Sequence, residues 1–381
     1  MVFHLDYIEQ GGEVVKSRTI ARLALVASLS IVAAACGSSE GESSSDTEAS
    51  SDTGAAPESN GEGGSVGFIL PDSASSARWE AFDRPLIEEA CAEAGLECDI
   101  QNAEGDKDNM ATIAEQMVAD GVEVLAIVNL DSESGAAIQE KAAAAGVKNI
   151  DYDRLTLGGS ADAYVSFDNV AVGTAQGEGL IECFDGDTEG KKIVQLHGSP
   201  TDNNATLFKQ GYQEAIKDAG FETVGEEAVP DWDNAQAATI FEQLLTDSSG
   251  EIDGVLAAND GLSLAAQAVL TDSGLTVPAT GQDATVEGLR AILSGTQCMT
   301  VYKPVVEEAK GAVETAVALL NDQDIPSNAT IDNENGEIPY VQAEIQSVFI
   351  GDVKVPVADG FVTAADVCEG LEAECKENGV E

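Results

Sequence analysis

Short apolar runs alternate with longer helical stretches from residue 65 to residue 321. "SVGFIL" (65–70), "VEVLAIV" (122–128), "VKNIDYD" (147–153), "KKIVQLHG" (191–198) and "IDGVLAAND" (252–260) each hold a compact block of Val, Ile and Leu. Blocks of this kind read as buried strands of a parallel sheet, whose two faces are both covered. "LECDIQNA" (96–103) and "FETVGEEAVP" (221–230) read as further strands. Between them "ARWEAFDRPLIEEACAEAG" (77–95), "NMATIAEQMVADG" (109–121) and "SGAAIQEKAAAAG" (134–146) predict helices that close on glycine. The rhythm restarts at residue 191 and runs through "FKQGYQEAIKDAG", "AQAATIFEQLLTDS", "GLSLAAQAVLTDSG", "VEGLRAILSG" and "QCMTVYKP". Two successive α/β sets of roughly 100 residues each therefore predict two doubly wound, parallel-sheet lobes. A further helix, "VVEEAKGAVETAVALLN" (305–321), follows Pro304, and the tail up to "VFIGDVKVPV" (348–357) reads as β-rich.

The first 64 residues break this pattern. Lys16, Arg18 and Arg22 precede the apolar run "LALVASLSIVAAAC" (23–36), which is too short for a spanning helix. Small residues leading into Cys36, Gly37 and Ser38 resemble a bacterial lipoprotein signal, so residues 1–36 are expected to be a signal peptide with Cys36 as the lipidated residue. Residues 37–64 hold almost only small and acidic side chains and read as a disordered acidic tether.

Charge narrows the function classes. The chain has 18 Lys and Arg against 69 Asp and Glu, a formal net charge of −51. No basic stripe is available to neutralise phosphates, which excludes nucleic-acid binding, and lipid on Cys36 is left as the expected membrane contact. Such a charge keeps a protein soluble while straining its compact state by self-repulsion, which salt screens. Six cysteines besides Cys36 suit an oxidising compartment. Cys91 and Cys98 lie seven apart, as do Cys368 and Cys375, leaving Cys183 and Cys298 to pair across a longer loop. Sequence alone does not fix that connectivity. No CxxC occurs, and His197 is the single histidine after Cys36, so no zinc pattern is present.

In doubly wound sheets ligands sit beyond the carboxyl ends of the strands. Those positions hold Arg78 and Trp79, Asp153 and Arg154, Asp202 and Asn204, Trp232, Asn259, Asp283 and Lys303. Each has an ordinary alternative: Asp202, Asn204 and Asn259 are good helix N-caps, Asp153 with Arg154 could be a surface ion pair, and Trp79 a core residue. Both tryptophans of an aromatic-poor chain nevertheless fall in this set. Enzyme readings lack support: there is no GxSxG elbow or P-loop, and one histidine leaves little for acid–base work.

"SSARWE", "IDYDRL", "YVSFDNVAVG", "GSPTDNNATLF", "AANDGLSLAA", "GQDA" and "GTQCMTVYKP" occur in this order between residues 75 and 304. In order and spacing they resemble the D-xylose-binding and multiple-monosaccharide-binding proteins of ABC sugar importers. The resemblance implies the type I periplasmic binding protein fold, two α/β lobes joined by a three-strand hinge near Phe167, Pro304 and Val341. An N-terminal lobe of 65–167 with 304–340 and a C-terminal lobe of 168–303 with 341–381 follow from it. It places all ten strand-end residues in one sugar pocket. Trp79 would stack on the sugar, Arg78 would donate to its hydroxyls, and Asp153 and Arg154 would grip its rim from the same lobe. Trp232, Asp283 and Lys303 would approach from the other. The expectation is a monomeric, exported, lipid-anchored binding protein, not an enzyme and without cofactor or metal. It would capture a monosaccharide, D-xylose first, and deliver it to an ABC permease. The alternative is a receptor for chemotaxis or a sensor kinase with glucose, galactose or arabinose as ligand.

Overall fold

A computed structural model describes residues 64–73, 75–76 and 78–380. The expected signal segment, nearly all of the tether, and Cys36 lie outside these residues. Among the described residues no helix is long and apolar enough to cross a membrane.

Strand β1 (Ser65–Leu70) leads through a π-helical turn at Trp79–Asp83 into α1 (Arg84–Ala94). Next come β2 (Glu97–Asn102), α2 (Lys107–Asp120), β3 (Val124–Ile127), α3 (Ser132–Ala144), β4 (Lys148–Tyr152) and β5 (Ala163–Phe167). Gly95 and Gly121, left-handed at φ 68° and 96°, end α1 and α2 as their positions in the sequence predict. The second set runs α4 (Asn169–Cys183), β6 (Lys192–His197), α5 (Asn203–Ile216), β7 (Glu222–Ala228), α6 (Asn234–Asp247), β8 (Gly254–Ala257), α7 (Asp260–Asp272), α8 (Val286–Ser294) and β9 (Thr300–Tyr302). Then follow α9 (Val305–Leu320), β10 (Ala329–Asp332), β11 (Glu337–Ala343) and β12 (Gln346–Val348), and last α10 (Lys354–Ala358), α11 (Ala364–Cys368) and α12 (Glu372–Asn378).

The first sheet has the order β10-β11-β5-β4-β3-β1-β2, parallel except for the β10–β11 pair. Its fully buried strand side chains feed two cores: Phe68, Val124 and Ile150 pack with α1 and α9, while Ile69, Leu125 and Ile127 pack with α2 and α3. The second sheet, β7-β6-β8, is parallel and sits in its own core with Phe208, Tyr212, Phe241 and Leu262. A short antiparallel pair, β12 with β9, completes the set. The α/β architecture of two doubly wound lobes thus holds.

Three passages of chain connect the lobes. The first follows Phe167, at the end of β5, and the second surrounds Pro304, between β9 and α9. The third lies just beyond Val341: that residue is inside β11, paired with Val165, and the chain leaves the first sheet after Ala343. The tail also departs from the β-rich reading, because beyond Val348 it forms a 3-10 turn (Ile350–Asp352) and the short helices α10 to α12. Pro356 in "VKVPV" lacks the N–H a strand ladder needs. Disulfides Cys91–Cys98, Cys183–Cys298 and Cys368–Cys375 have Cα–Cα separations of 6.3, 6.0 and 5.8 Å.

Candidate functional site

The first sheet supplies one wall. The loop after β1 is ordered by Asp72, which accepts from the Ser75 hydroxyl at 2.7 Å, and Ser75 Oγ in turn accepts from the Trp79 indole N–H at 3.3 Å. Arg78, 3 % exposed, is held by three carboxylates. Its Nε and Nη2 donate to Asp83 at 2.9 and 2.8 Å, Nη2 to Glu308 at 2.6 Å, and Nη1 to Asp153 at 2.8 Å. These bonds use four of the five guanidinium N–H groups, so Arg78 organises the wall and keeps one Nη1 hydrogen to donate. Burial opposes the Arg78 charge, but Asp83, Asp153 and Glu308 together raise its pKa well above the usual value. Burial pushes Glu308 upward, only partly relieved by Arg78.

At the end of β4, Asp153 adopts φ 60°, a region non-glycine residues seldom enter. Its carbonyl accepts from Tyr164 and Ser166 hydroxyls, both at 2.8 Å, and from Asn204 Nδ2 at 2.9 Å. Burial raises the Asp153 pKa, and Arg78, Lys303 and Arg154 outweigh it, leaving the carboxyl below its ordinary range. Asp153 and Arg154 do not pair with each other. The left-handed turn sends neighbouring side chains apart, and Arg154 reaches instead across to Asp202, Nε to Oδ2 3.1 Å. That nitrogen is close without being aligned to donate. Arg154 Nη1 donates to the Asn129 carbonyl at 3.1 Å, and the guanidinium lies 5.5 Å from the Trp79 ring centroid.

The second sheet supplies the opposite wall. Asp202 caps α5 through Asn204 N–H at 2.9 Å and also accepts from the Trp232 indole at 3.1 Å. Asn259 caps α7 through Leu262 N–H at 2.9 Å. Capping and cavity lining therefore coexist in these residues. Trp232 and Asp231 both have left-handed backbone, φ 55° and 54°, which turns the indole inward over Phe208, ring centroids 6.4 Å apart. Asp283, at φ 95°, meets Lys303 at 3.0 Å, and Lys303 Nζ lies 5.5 Å from the Phe167 ring centroid.

All ten strand-end residues line one cavity, together with Ser75, Ser76, Phe208 and Gln282. Three cations (Arg78, Arg154, Lys303) and three carboxylates (Asp153, Asp202, Asp283) balance there, despite the acidity of the chain as a whole. Three of the buried polar atoms that lack an aligned hydrogen bond lie here: Gln282 Oε1, and Arg154 Nε and Asp283 Oδ1, which have only their ion-pair contacts to Asp202 and Lys303. Unmet polar atoms in a closed space are costly unless a ligand meets them. Trp79 is 3 % exposed and belongs to the core packed against α1 and α9, so it serves packing and cavity together. His197, beside Tyr212 and Glu226, does not line the cavity.

A family model described as a periplasmic binding protein domain matches residues 66–324. The chain belongs to the periplasmic binding proteins. The D-xylose-binding periplasmic protein of Escherichia coli is 34 % identical over 274 residues, covering 70 % of this chain and 82 % of that one. The multiple sugar-binding periplasmic receptor ChvE of Rhizobium radiobacter is 32 % identical, covering 81 % and 94 %. Among solved structures, a carbohydrate transporter solute-binding protein from Chloroflexus aurantiacus in complex with D-glucose superposes with a TM-score of 0.73. It is 29 % identical, with 79 % of this chain and 97 % of that one covered. These periplasmic binding proteins bind substrates and are not enzymes, in keeping with the lack of catalytic motifs. Sequence reasoning missed Phe208, Gln282, Asp83 and Glu308. Only Gln282, next to Asp283 in "GQDA", carried a signal, namely its place at a strand end.

Proposed function

We propose that this periplasmic binding protein captures an uncharged monosaccharide, D-xylose first, between its lobes and presents it to an ABC permease. The observation that carries the reading is the cavity. Its charges balance three against three, which suits a neutral ligand rich in hydroxyls better than a sugar phosphate. Trp79 and Trp232 offer apolar faces from opposite walls, and Gln282 Oε1 offers an acceptor to a hydroxyl beside the ion-paired Arg154 and Asp283. Export with lipid on Cys36 places the lobes outside the cytoplasmic membrane, close to a permease. D-glucose is the second candidate, favoured by the Chloroflexus aurantiacus complex.

Titration calorimetry with xylose, glucose, galactose, arabinose and xylose phosphate tests the reading. Xylose is expected to bind near micromolar, roughly −8 kcal/mol, with the phosphate weakest. Binding of the phosphate in preference to every neutral sugar would overturn it.

A further inference from the structure

Among the described residues each lobe buries, away from the cavity, one carboxylate that has no ion pair, and the two are built alike. In the first lobe Asp151, on β4, is fully buried. It accepts from the Thr156 N–H at 2.9 Å, the Thr156 hydroxyl at 2.6 Å and Gln139 Nε2 at 2.6 Å. In the second lobe Asp260, at the start of α7, is equally buried. It accepts from the Thr285 N–H at 2.9 Å, the Thr285 hydroxyl at 3.0 Å and Gln297 Nε2 at 2.8 Å. The Thr300 hydroxyl adds a fourth bond at 2.8 Å.

The two threonines close matching loops. Residues 153–156 carry Asp153 and Arg154 into the cavity, and residues 282–285 carry Gln282 and Asp283. Each loop holds an aspartate in left-handed backbone, Asp153 at φ 60° and Asp283 at φ 95°, with Ala284 at 49° beside the latter. Such backbone persists only where its surroundings over-determine it. A threonine that gives both its N–H and its O–H to one buried carboxylate supplies that constraint within three residues of each strained aspartate.

We infer that Asp151 and Asp260 are paired positioning residues, one per lobe, which hold the loops bearing Asp153, Arg154, Gln282 and Asp283 in ligand-ready geometry through Thr156 and Thr285. The inference rests on the sugar-binding reading above and extends it to residues outside the cavity. Burial pushes both carboxyls up to about 7, opposed by their threonine and glutamine donors, and for Asp260 Asp283 adds to the rise. A core needing only apolar packing would not retain two such groups.

Thr156→Val and Thr285→Val keep side-chain shape but remove the hydroxyl that donates to each carboxylate and that also accepts from Asn129 Nδ2 in the first loop and from the Gly288 N–H in the second; Thr156→Ser and Thr285→Ser restore it. Each valine variant is expected to weaken xylose binding by about three- to tenfold, the share of one hydrogen bond, and the serine variants to bind like wild type. Together the valine changes should multiply, since the loops lie in different lobes. Hydrogen exchange of the ligand-free protein should quicken at residues 153–157 in the first variant and 282–288 in the second, where Thr285 also caps α8. Valine variants with wild-type affinity and wild-type loop exchange overturn the inference, as do serine variants that fail to recover affinity. Should wild type bind no monosaccharide, the sugar reading fails, and the exchange data alone decide whether these carboxylates hold the loops.

Discussion

Trp232 fills the space that a side chain on Gly198 would need. A Cβ built at Gly198 would lie inside the indole ring, and the indole cannot retreat without losing its bond to Asp202 and its left-handed backbone. Gly198→Ala should therefore expel Trp232 from the cavity wall. We expect sugar affinity to fall by about 1–3 kcal/mol through lost apolar burial and stacking. Calorimetry checks the affinity, and the emission of Trp232 in a Trp79→Phe background should report its movement into water. Unchanged affinity and emission would show that the wall yields elsewhere.

Arg154 and Asp202 join the walls by charge. Arg154→Ala leaves Asp202 without its cation and tips the lining to one excess carboxylate. Xylose binding should weaken by about 1.5–3 kcal/mol, while melting temperature should change less than in Trp79→Ala. The latter removes a core residue and should cost about 3–5 kcal/mol of stability. Binding titrations and thermal melts of the two variants separate these roles.

Loop length ranks the disulfides. Cys183–Cys298 spans 115 residues, and the other two span 7 each. By chain entropy the long link should contribute about 4–5 kcal/mol and each short one about 2. Denaturant unfolding of Cys183→Ser/Cys298→Ser beside Cys91→Ser/Cys98→Ser should show the larger loss in the first.

Stability should depend on pH through Asp151. Its pKa in the folded protein is about 7 against an ordinary 3.8, raised by burial in spite of bonds from Thr156 and Gln139. The folded chain therefore holds a proton that the unfolded chain releases. The stability this brings is complete below about pH 4 and is lost as pH rises through 7. The share at stake is on the order of 4 kcal/mol. His197 works the other way: burial and Lys209 hold it at about 4 against Glu226, so its contribution is lost as pH falls below 6.5. Comparison with Asp151→Asn cancels that term. Wild type should lose stability relative to the variant between pH 4 and pH 8, and parallel curves would refute the assignment.

Anchoring by Cys36 predicts that Cys36→Ser leaves the membrane fraction and retains sugar affinity. Fractionation followed by calorimetry of the released protein checks both halves.

Much of the site was legible because strand ends in a parallel sheet must converge, so Arg78, Asp153, Asn259 and Lys303 could be named from the runs before them. Their mutual pairing was not. Nothing local says that Arg78 will spend its donors on Asp83, Asp153 and Glu308, the last 230 residues away. Phe208 sits inside α5, where an inward-facing aromatic looks like any core residue. Helix α4 was hidden for a different reason: Gly173, Gly177 and Gly179 lower its propensity, and packing overrides them. In the tail, helices of five to seven residues are too short for a period to show.

The three passages of chain between the sheets also bear on how such a gene can change. Neither lobe is a continuous stretch of coding sequence: the first sheet draws β10 and β11 from beyond β9, and β12 returns to the second half. A single recombination with a relative would therefore join mismatched walls or sever a sheet. Swapping an intact lobe requires three crossovers at once. New ligand preferences should accordingly arise by substitution at strand ends, one loop at a time, and rarely by the exchange of whole halves.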